Sequence, residues 1–521
     1  MVCKINFKNE DFNFDLIEYY FKNKNHSDEL QKITDRIMND ISFNELFMFI
    51  DRTHSKIGQQ YHYNQLSSIR SIINFEKQEK RIEYFSKNES VRNKVQSLLS
   101  KLNTKNDYFI SNLFIDKFIQ KPKWFWVIKI LSLVAFCTLF FTLYLNSVFI
   151  FLLLIIFLVN TLIHIWNKNN ILVYMDSIPR LPLFCKITTE LIKLDIINPT
   201  TKDSVLYSVK SVEKLKNKIR FFKFETGFKS DIESGVFFVW EIVKTLFLIE
   251  PLVIFDVLKE LEKKKNDVQT VFEYFGEIDS TISIAIIRNE QPCFCKPIIT
   301  NSAGSLEFLD MYHPLIPDCI SNSMKINGRS ILLTGSNMSG KTTFVKTVFI
   351  NLLLAQTINT SFSKYFKFSK SRLFSSINIS DDLFNGKSYY FEEVLIIKDI
   401  IKESQSNSNN VFFLDEIFKG TNTIERIAAG KAILSYLSKL KNNIVFVSTH
   451  DIELADLLAD AYDLYHFTET VQDGQIYFDY KIRSGNLSTK NAIRILEIND
   501  YPKEVLDEAI NISNALLRNN S

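Results

Sequence analysis

Two long apolar runs early in the chain limit its possible folds more than any other feature. Residues 124–145, WFWVIKILSLVAFCTLFFTLYL, hold one charge, Lys129, and residues 148–165, VFIFLLLIIFLVNTLIHI, hold no Asp, Glu, Lys or Arg. Runs of 22 and 18 residues approach the roughly 20 that a helix needs to cross a hydrocarbon core. Only Asn146 and Ser147 separate them, so the expectation is a helical hairpin that crosses a bilayer and returns. Lys117, Lys121 and Lys123 before it and Lys168 after it put both flanks in the cytoplasm. Trp124, Trp126 and Trp166 stand at the ends, where interfacial aromatics belong. The competing reading is a buried hairpin of a soluble helical domain, but runs this long and this poor in charge seldom occur in soluble cores. The opening MVCKINFKNEDFNFDL carries charges where a signal peptide would be apolar, so no cleavable leader is expected.

The rest of the chain divides by texture. Residues 1–120 are expected to be helical, with helix-period stretches such as SVRNKVQSLLSKL and almost no glycine. Residues 121–168 are the hairpin, and 169–296 continue helical, with a long apolar-periodic stretch broken at Pro251. From about residue 297 short β-rich runs, SILLTG, NNVFFLDE, NNIVFVSTH and QIYFDYKI, alternate with helical ones, which is the pattern of an α/β domain on a mainly parallel sheet. The 62 basic and 59 acidic residues leave a formal charge of +3, so any nucleic-acid contact must come from a local patch. One such patch is residues 210–223, KSVEKLKNKIRFFK, readable as a solvated helix face or as a contact for DNA phosphate or anionic lipid. Six scattered cysteines, with Cys293 and Cys295 the only close pair, argue against disulfides and structural zinc.

Gly335-Ser336-Asn337-Met338-Ser339-Gly340-Lys341-Thr342 fits the pattern GxxxxGK[ST], with an apolar strand before it and a helical run after it. Glycines let backbone N–H groups approach phosphates, and the helix N-terminus adds partial positive charge. Lys341 is placed to reach the β- and γ-phosphates of ATP, and the Thr342 hydroxyl to ligate Mg²⁺. The strand VFFLDE ends in Asp415 and Glu416: Asp415 suits the Mg²⁺ shell, and Glu416 suits orienting the attacking water. His450 ends the next apolar strand, on the side of an α/β sheet where ligands bind, and could bond the γ-phosphate or the lytic water.

The words around these motifs resemble the MutS family, the ABC-type ATPases of DNA mismatch repair. NMSGKTT, LDEIFKGTNTIERIAAGKAIL, STHDIELADL and FDYKIRSGNLSTKNAIRILEINDYP occur in the family's order. Upstream, NGKSYYFEEVLII is similar to the segment whose serine, here Ser388, contacts nucleotide on the opposite subunit, and His313 in YHPL lies where the family flanks the adenine. The resemblance implies an α/β P-loop ATPase domain at the C-terminus with dimerisation helices. Before it comes an all-α core and lever region, interrupted by the hairpin. It also implies nucleotide contacts from Ser336, Asn337, Met338, Ser339 and Thr343, a homodimer, and binding of DNA. About 40 residues precede the helical core, too few for a mismatch reader, and the hairpin stands roughly where the family's DNA clamp is inserted. The expected protein is therefore a membrane-anchored ATPase in the inner membrane of a bacterium, with both termini and the ATPase domain cytoplasmic and residues 124–165 in the lipid bilayer. Two other readings stay open: an ABC-type ATPase acting on membrane or protein partners without DNA, and an ATP-dependent dimeric scaffold.

Overall fold

The structure, a computed structural model, describes residues 7–71, 75–194, 199–219, 231–336, 338–378, 389–472, 475–486, 496 and 501–519. Asn337, Ser388, the end of the basic stretch (220–223) and much of the C-terminal signature lie outside the described residues.

The N-terminal half is mostly helical, with one departure from the all-helical expectation. Strand β1 (Glu29–Lys32) pairs antiparallel with β2 (Ser68–Arg70). Four residues are too few for a period-2 pattern to register in the sequence, and the reason for this pair is tertiary. The Gln31 side chain donates to Leu373 O at 2.6 Å and accepts from Leu373 N at 2.7 Å. It thereby satisfies backbone groups that an edge strand would otherwise expose.

In the C-terminal part, β3 (Ile298–Thr300), β4 (Ser305–Met311), β5 (Asn322–Asn327) and β7 (Tyr365–Ser369) form a four-stranded sheet in the order β3-β7-β4-β5. The main sheet contains β6 (Ser330–Thr334), β8 (Arg372–Ser376), β9 (Asn410–Asp415), β10 (Asn443–Ser448), β11 (Tyr462–His466) and β12 (Arg483–Ser484), in the order β12-β11-β6-β10-β9-β8. Only the β11–β12 pairing is antiparallel. β6, β9 and β10 are almost wholly buried, as near-continuous apolar runs covered on both faces should be.

The two apolar runs are helices Phe125–Tyr144 and Phe149–Met175. They are long and apolar enough to cross a membrane, and only 17% of each 18-residue window is buried, unlike a soluble core helix. The second helix runs on past the apolar stretch. The later apolar-periodic stretch is two helices, Asp231–Leu246 and Ile249–Glu262. The break falls at Phe247 and Leu248, where Leu248 has φ +48°. Pro251 sits in the first turn of the second helix, a place where its missing N–H costs nothing.

The long helix Lys265–Glu290 crosses Lys56–Leu66 at very close range. A Cβ on Gly58 would run into the Asp279 carboxylate, and one on Gly276 into the Tyr61 ring. Asp279 itself accepts from His54 N and Ser55 N, both at 2.9 Å, and from Ser55 Oγ at 2.5 Å. Arg288 joins this helical part to the C-terminal part, donating to Glu79 at 2.7 Å and 3.1 Å and to Asn359 O at 2.7 Å. Asn359 closes the helix Lys341–Ile358 in a left-handed conformation, so the end of that helix is bonded directly to the helical half.

Candidate nucleotide site

The site forms where the carboxyl ends of β6, β9 and β10 come together. β6 runs straight into Gly335, with φ +145°, and the loop closes at Gly340, with φ +101°, before the helix starts at Lys341. A Cβ on Gly335 would meet Ser339 Oγ at 2.8 Å and Phe467 O at 2.9 Å; only glycine accommodates both the dihedral and the space. Lys341 is buried and folds back over the loop, donating to Gly335 O at 2.7 Å and Ser336 O at 2.8 Å. Burial holds its ammonium below the usual lysine range, against the pull of Glu416, Asp415 and Glu469.

Thr342 Oγ1 donates to Asp415 Oδ2 at 2.7 Å, and Ser448 Oγ donates to the other Asp415 oxygen. These two bonds fix the carboxylate at the mouth of the loop. Glu416 follows with φ +49°, a strained dihedral for a non-glycine residue. Its N–H is held by Ser448 O at 2.9 Å. The Glu416 carboxylate lies 3.3 Å from His450 Nδ1 and 2.7 Å from Lys419 Nζ. Its hydrogen bond with His450, the largest influence, together with Lys419 draws its pKa down to about 2. The same bond pushes His450 upward.

The structure thus brings Lys341, Thr342, Asp415, Glu416 and His450 to one end of the sheet. Ser336 donates to Glu469 at 3.0 Å and Ser339 to Ser336 O at 2.7 Å, while Met338 and Thr343 are exposed. His313 lies on the segment that leads to the neighbouring cavity. It is buried, its Nδ1 accepts from Leu315 N at 3.2 Å, and burial lowers its pKa to about 4. The residues after it, Ile316 to Ile320, line a cavity of about 810 Å³ together with Met338, Gly340–Thr343, Phe467 and Tyr480. A roomy cavity with mixed polar and apolar lining therefore adjoins the phosphate loop, and His313, whose Nδ1 is bonded within its own turn, is not among its lining residues.

Sequence reasoning missed three supports. Glu393, buried on the helix Tyr389–Ser404, accepts the N–H of Phe418, two residues past Glu416. Arg426 clamps Asp451 through two bonds of 2.8 and 2.7 Å, steadying the residue beside His450. Lys419 neutralises Glu416 from the side. The doubled acids at 392 and 393 were the only visible signal of the first.

Strand, glycine loop and helix on a mainly parallel sheet, with a hydroxyl–carboxylate pair at the loop mouth, define a P-loop nucleotide-binding domain of the ATPase type. Residues 331–517 match the family model for MutS domain V, so this part of the chain is similar to the MutS family. The chain is 26% identical over 269 residues to the DNA mismatch repair protein MutS of Carboxydothermus hydrogenoformans, covering 49% of this chain and 32% of that protein. For the proteins of the same name from Clostridium perfringens and Lysinibacillus sphaericus, identity is 28% over 278 residues and 29% over 271. Those matches cover 50% and 49% of this chain and 30% of each relative. The match thus spans about a third of the length of these relatives.

Proposed function

We propose that this chain is a Mg²⁺-dependent ATPase whose site is completed across a homodimer, anchored by residues 124–165 in a bilayer and acting on DNA held near it. The observation that carries the reading is the convergence of Lys341, the Thr342–Asp415 pair and the Glu416–His450 pair at the carboxyl ends of three adjacent strands. The donor set fits the group: a hydroxyl and a carboxylate already 2.7 Å apart would hold magnesium, which when bound neutralises charge on the β- and γ-phosphate oxygens. Lys341 has two carbonyl partners to give up, so the arriving phosphate takes over an existing set of donor positions and leaves no ammonium unsatisfied. Glu416, held ionised by His450 and Lys419, accepts a hydrogen bond from the attacking water and aims it. Ser388, just before the helix Tyr389–Ser404, is the proposed contact to ATP on the partner subunit. The same helix supports the loop after Glu416 through Glu393, so closure of the dimer and placement of Glu416 share one element.

Lys341→Ala should abolish turnover, and normal ATPase activity in that variant refutes the site. The DNA role is supported by the MutS relatives' printed function. It requires salt-sensitive affinity for duplex, branched or single-stranded DNA, and fails if none is measured. A second reading, ATP-driven action on the membrane or a membrane partner without DNA, is favoured by the two exposed apolar helices. Stimulation of the ATPase by lipid but not by DNA would select it.

A further inference from the structure

A third apolar surface lies beside the two candidate spans. The helix Asp231–Leu246 carries Phe238 and Val239 at 67% and 60% exposure, with Ile242 on the same side. The charged residues of its second half do the opposite: Lys244 is 1% exposed and pairs with Glu241 at 2.6 Å. Glu250, at the start of the next helix, is also 1% exposed and accepts from Asn167 at 3.2 Å. His164 lies between Glu241 and Glu250, 3.8 Å from each. A helix surrounded by water hides its phenylalanines and shows its ions. An inverted helix, with ionisable groups turned inward and paired, is what hydrocarbon selects.

The contacts also set a depth. Ala135, the middle of the first apolar helix, and Ile156 of the second pack with Leu246 in one small cluster joined by Leu153 and Phe247. Asn160 donates to Leu246 O at 2.6 Å. Ten residues of helix from Phe125 to Ala135 rise about 15 Å, half of a core roughly 30 Å thick. The turn at Phe247 and Leu248 is therefore level with the bilayer midplane if the two helices span. Both arms then lead back to one face. On one arm Glu241 lies 3.7 Å from Lys168, at the end of the second span. On the other, Phe255 meets Phe125, the first residue of the first span, edge-on at 5.4 Å, and Asp256 pairs with Lys121 at 2.6 Å.

We infer that residues 238–253 form a re-entrant hairpin that enters the cytoplasmic leaflet beside the two spans and turns back at the midplane, its outer face against lipid acyl chains. The inference rests on the membrane reading of residues 124–165 and extends it to a segment whose sequence is too charged to pass as a span. Non-helical backbone at Phe247 is tolerated at that depth because protein surrounds it: Leu248 is fully buried and Leu246 O is bonded. The hairpin then couples bilayer and motor, since the Ile249–Glu262 helix leads into Lys265–Glu290, which Arg288 ties to the phosphate-loop helix.

The test uses the full-length protein reconstituted in phosphatidylcholine vesicles that carry a diazirine at mid-acyl-chain position, with irradiation and mass-spectrometric mapping of the adducts. Adducts on residues 238–247 within about threefold of the yield on residues 130–160 support the re-entrant hairpin. Adducts on the spans with background yield, more than tenfold lower, on 238–247 overturn it and leave the spans standing. Background yield on both overturns the spans and the hairpin together.

Discussion

Replacing Glu393 by alanine removes a buried carboxylate that ties the helix Tyr389–Ser404 to the loop behind Glu416. The carboxylate is buried and accepts the Phe418 N–H. Glu416 and Phe418 both hold positive φ, +49° and +60°, so this loop lies in sparsely populated backbone conformations that persist only while neighbours enforce them. A hydrogen bond to a charged group contributes about 1.5–3 kcal/mol. At about 1.4 kcal/mol per tenfold in rate, its loss corresponds to a roughly 10- to 100-fold fall in kcat if the energy serves to place Glu416. KM for ATP should change less than about threefold, because the glycine loop, Lys341 and the neighbouring cavity do not touch Glu393. Thermal stability should hardly move: burial pushes the Glu393 carboxyl up from its ordinary range, so removing it relieves a desolvation cost while losing the bond. Glu393→Gln, which keeps one acceptor oxygen, should fall between wild type and alanine. Steady-state ATPase kinetics on folded variants decide the matter. A wild-type kcat in Glu393→Ala, or a loss carried wholly by KM, refutes the positioning argument.

Three further outcomes follow from the same contacts. Removing the imidazole in His450→Ala takes away the largest influence holding Glu416 near a pKa of 2. Its carboxyl should return toward the ordinary value, moving the acid limb of the pH–rate profile to higher pH; an unmoved limb contradicts the pairing. Asp279 is raised by burial from 3.8 to about 6, so its contribution is fully present below pH 4 and lost as pH rises through 6. The difference is about 3 kcal/mol, and Asp279→Asn should flatten the change in urea midpoint between pH 4 and 7 relative to wild type. Gly276→Ala drives a methyl into Tyr61 and should cost at least about 1–3 kcal/mol as an overpacked core does, read as a lowered urea midpoint.

Much of the phosphate-loop half was legible because its chemistry is local. Gly335, Gly340, Lys341 and Thr342 lie within one eight-residue stretch, and the loop they build follows from backbone dihedrals and a helix N-terminus that the same few residues create. Asp415, Glu416 and His450 were legible because each ends an apolar run, and a parallel sheet aligns the ends of such runs. The two long apolar helices were legible because length and lack of charge are summed along one stretch. The surroundings of His313 were not legible for the converse reason: whether a ring faces a cavity or its own turn depends on a few ångströms of loop path.

What the sequence alone determined was therefore the set of elements whose cause is contained in a continuous segment: the glycine loop, the acid-tipped strands and the pair of apolar helices. The tertiary structure alone decided the contacts between distant segments. It set Gln31 against Leu373, Glu393 behind Glu416 and Gly58 against Asp279, and it turned Glu241 and Lys244 inward. The physical reason is that periodicity records which face of an element is apolar but not what covers that face. A helix carrying Phe238, Glu241 and Lys244 reads as ordinary and water-facing until its neighbours show that the charges are inside.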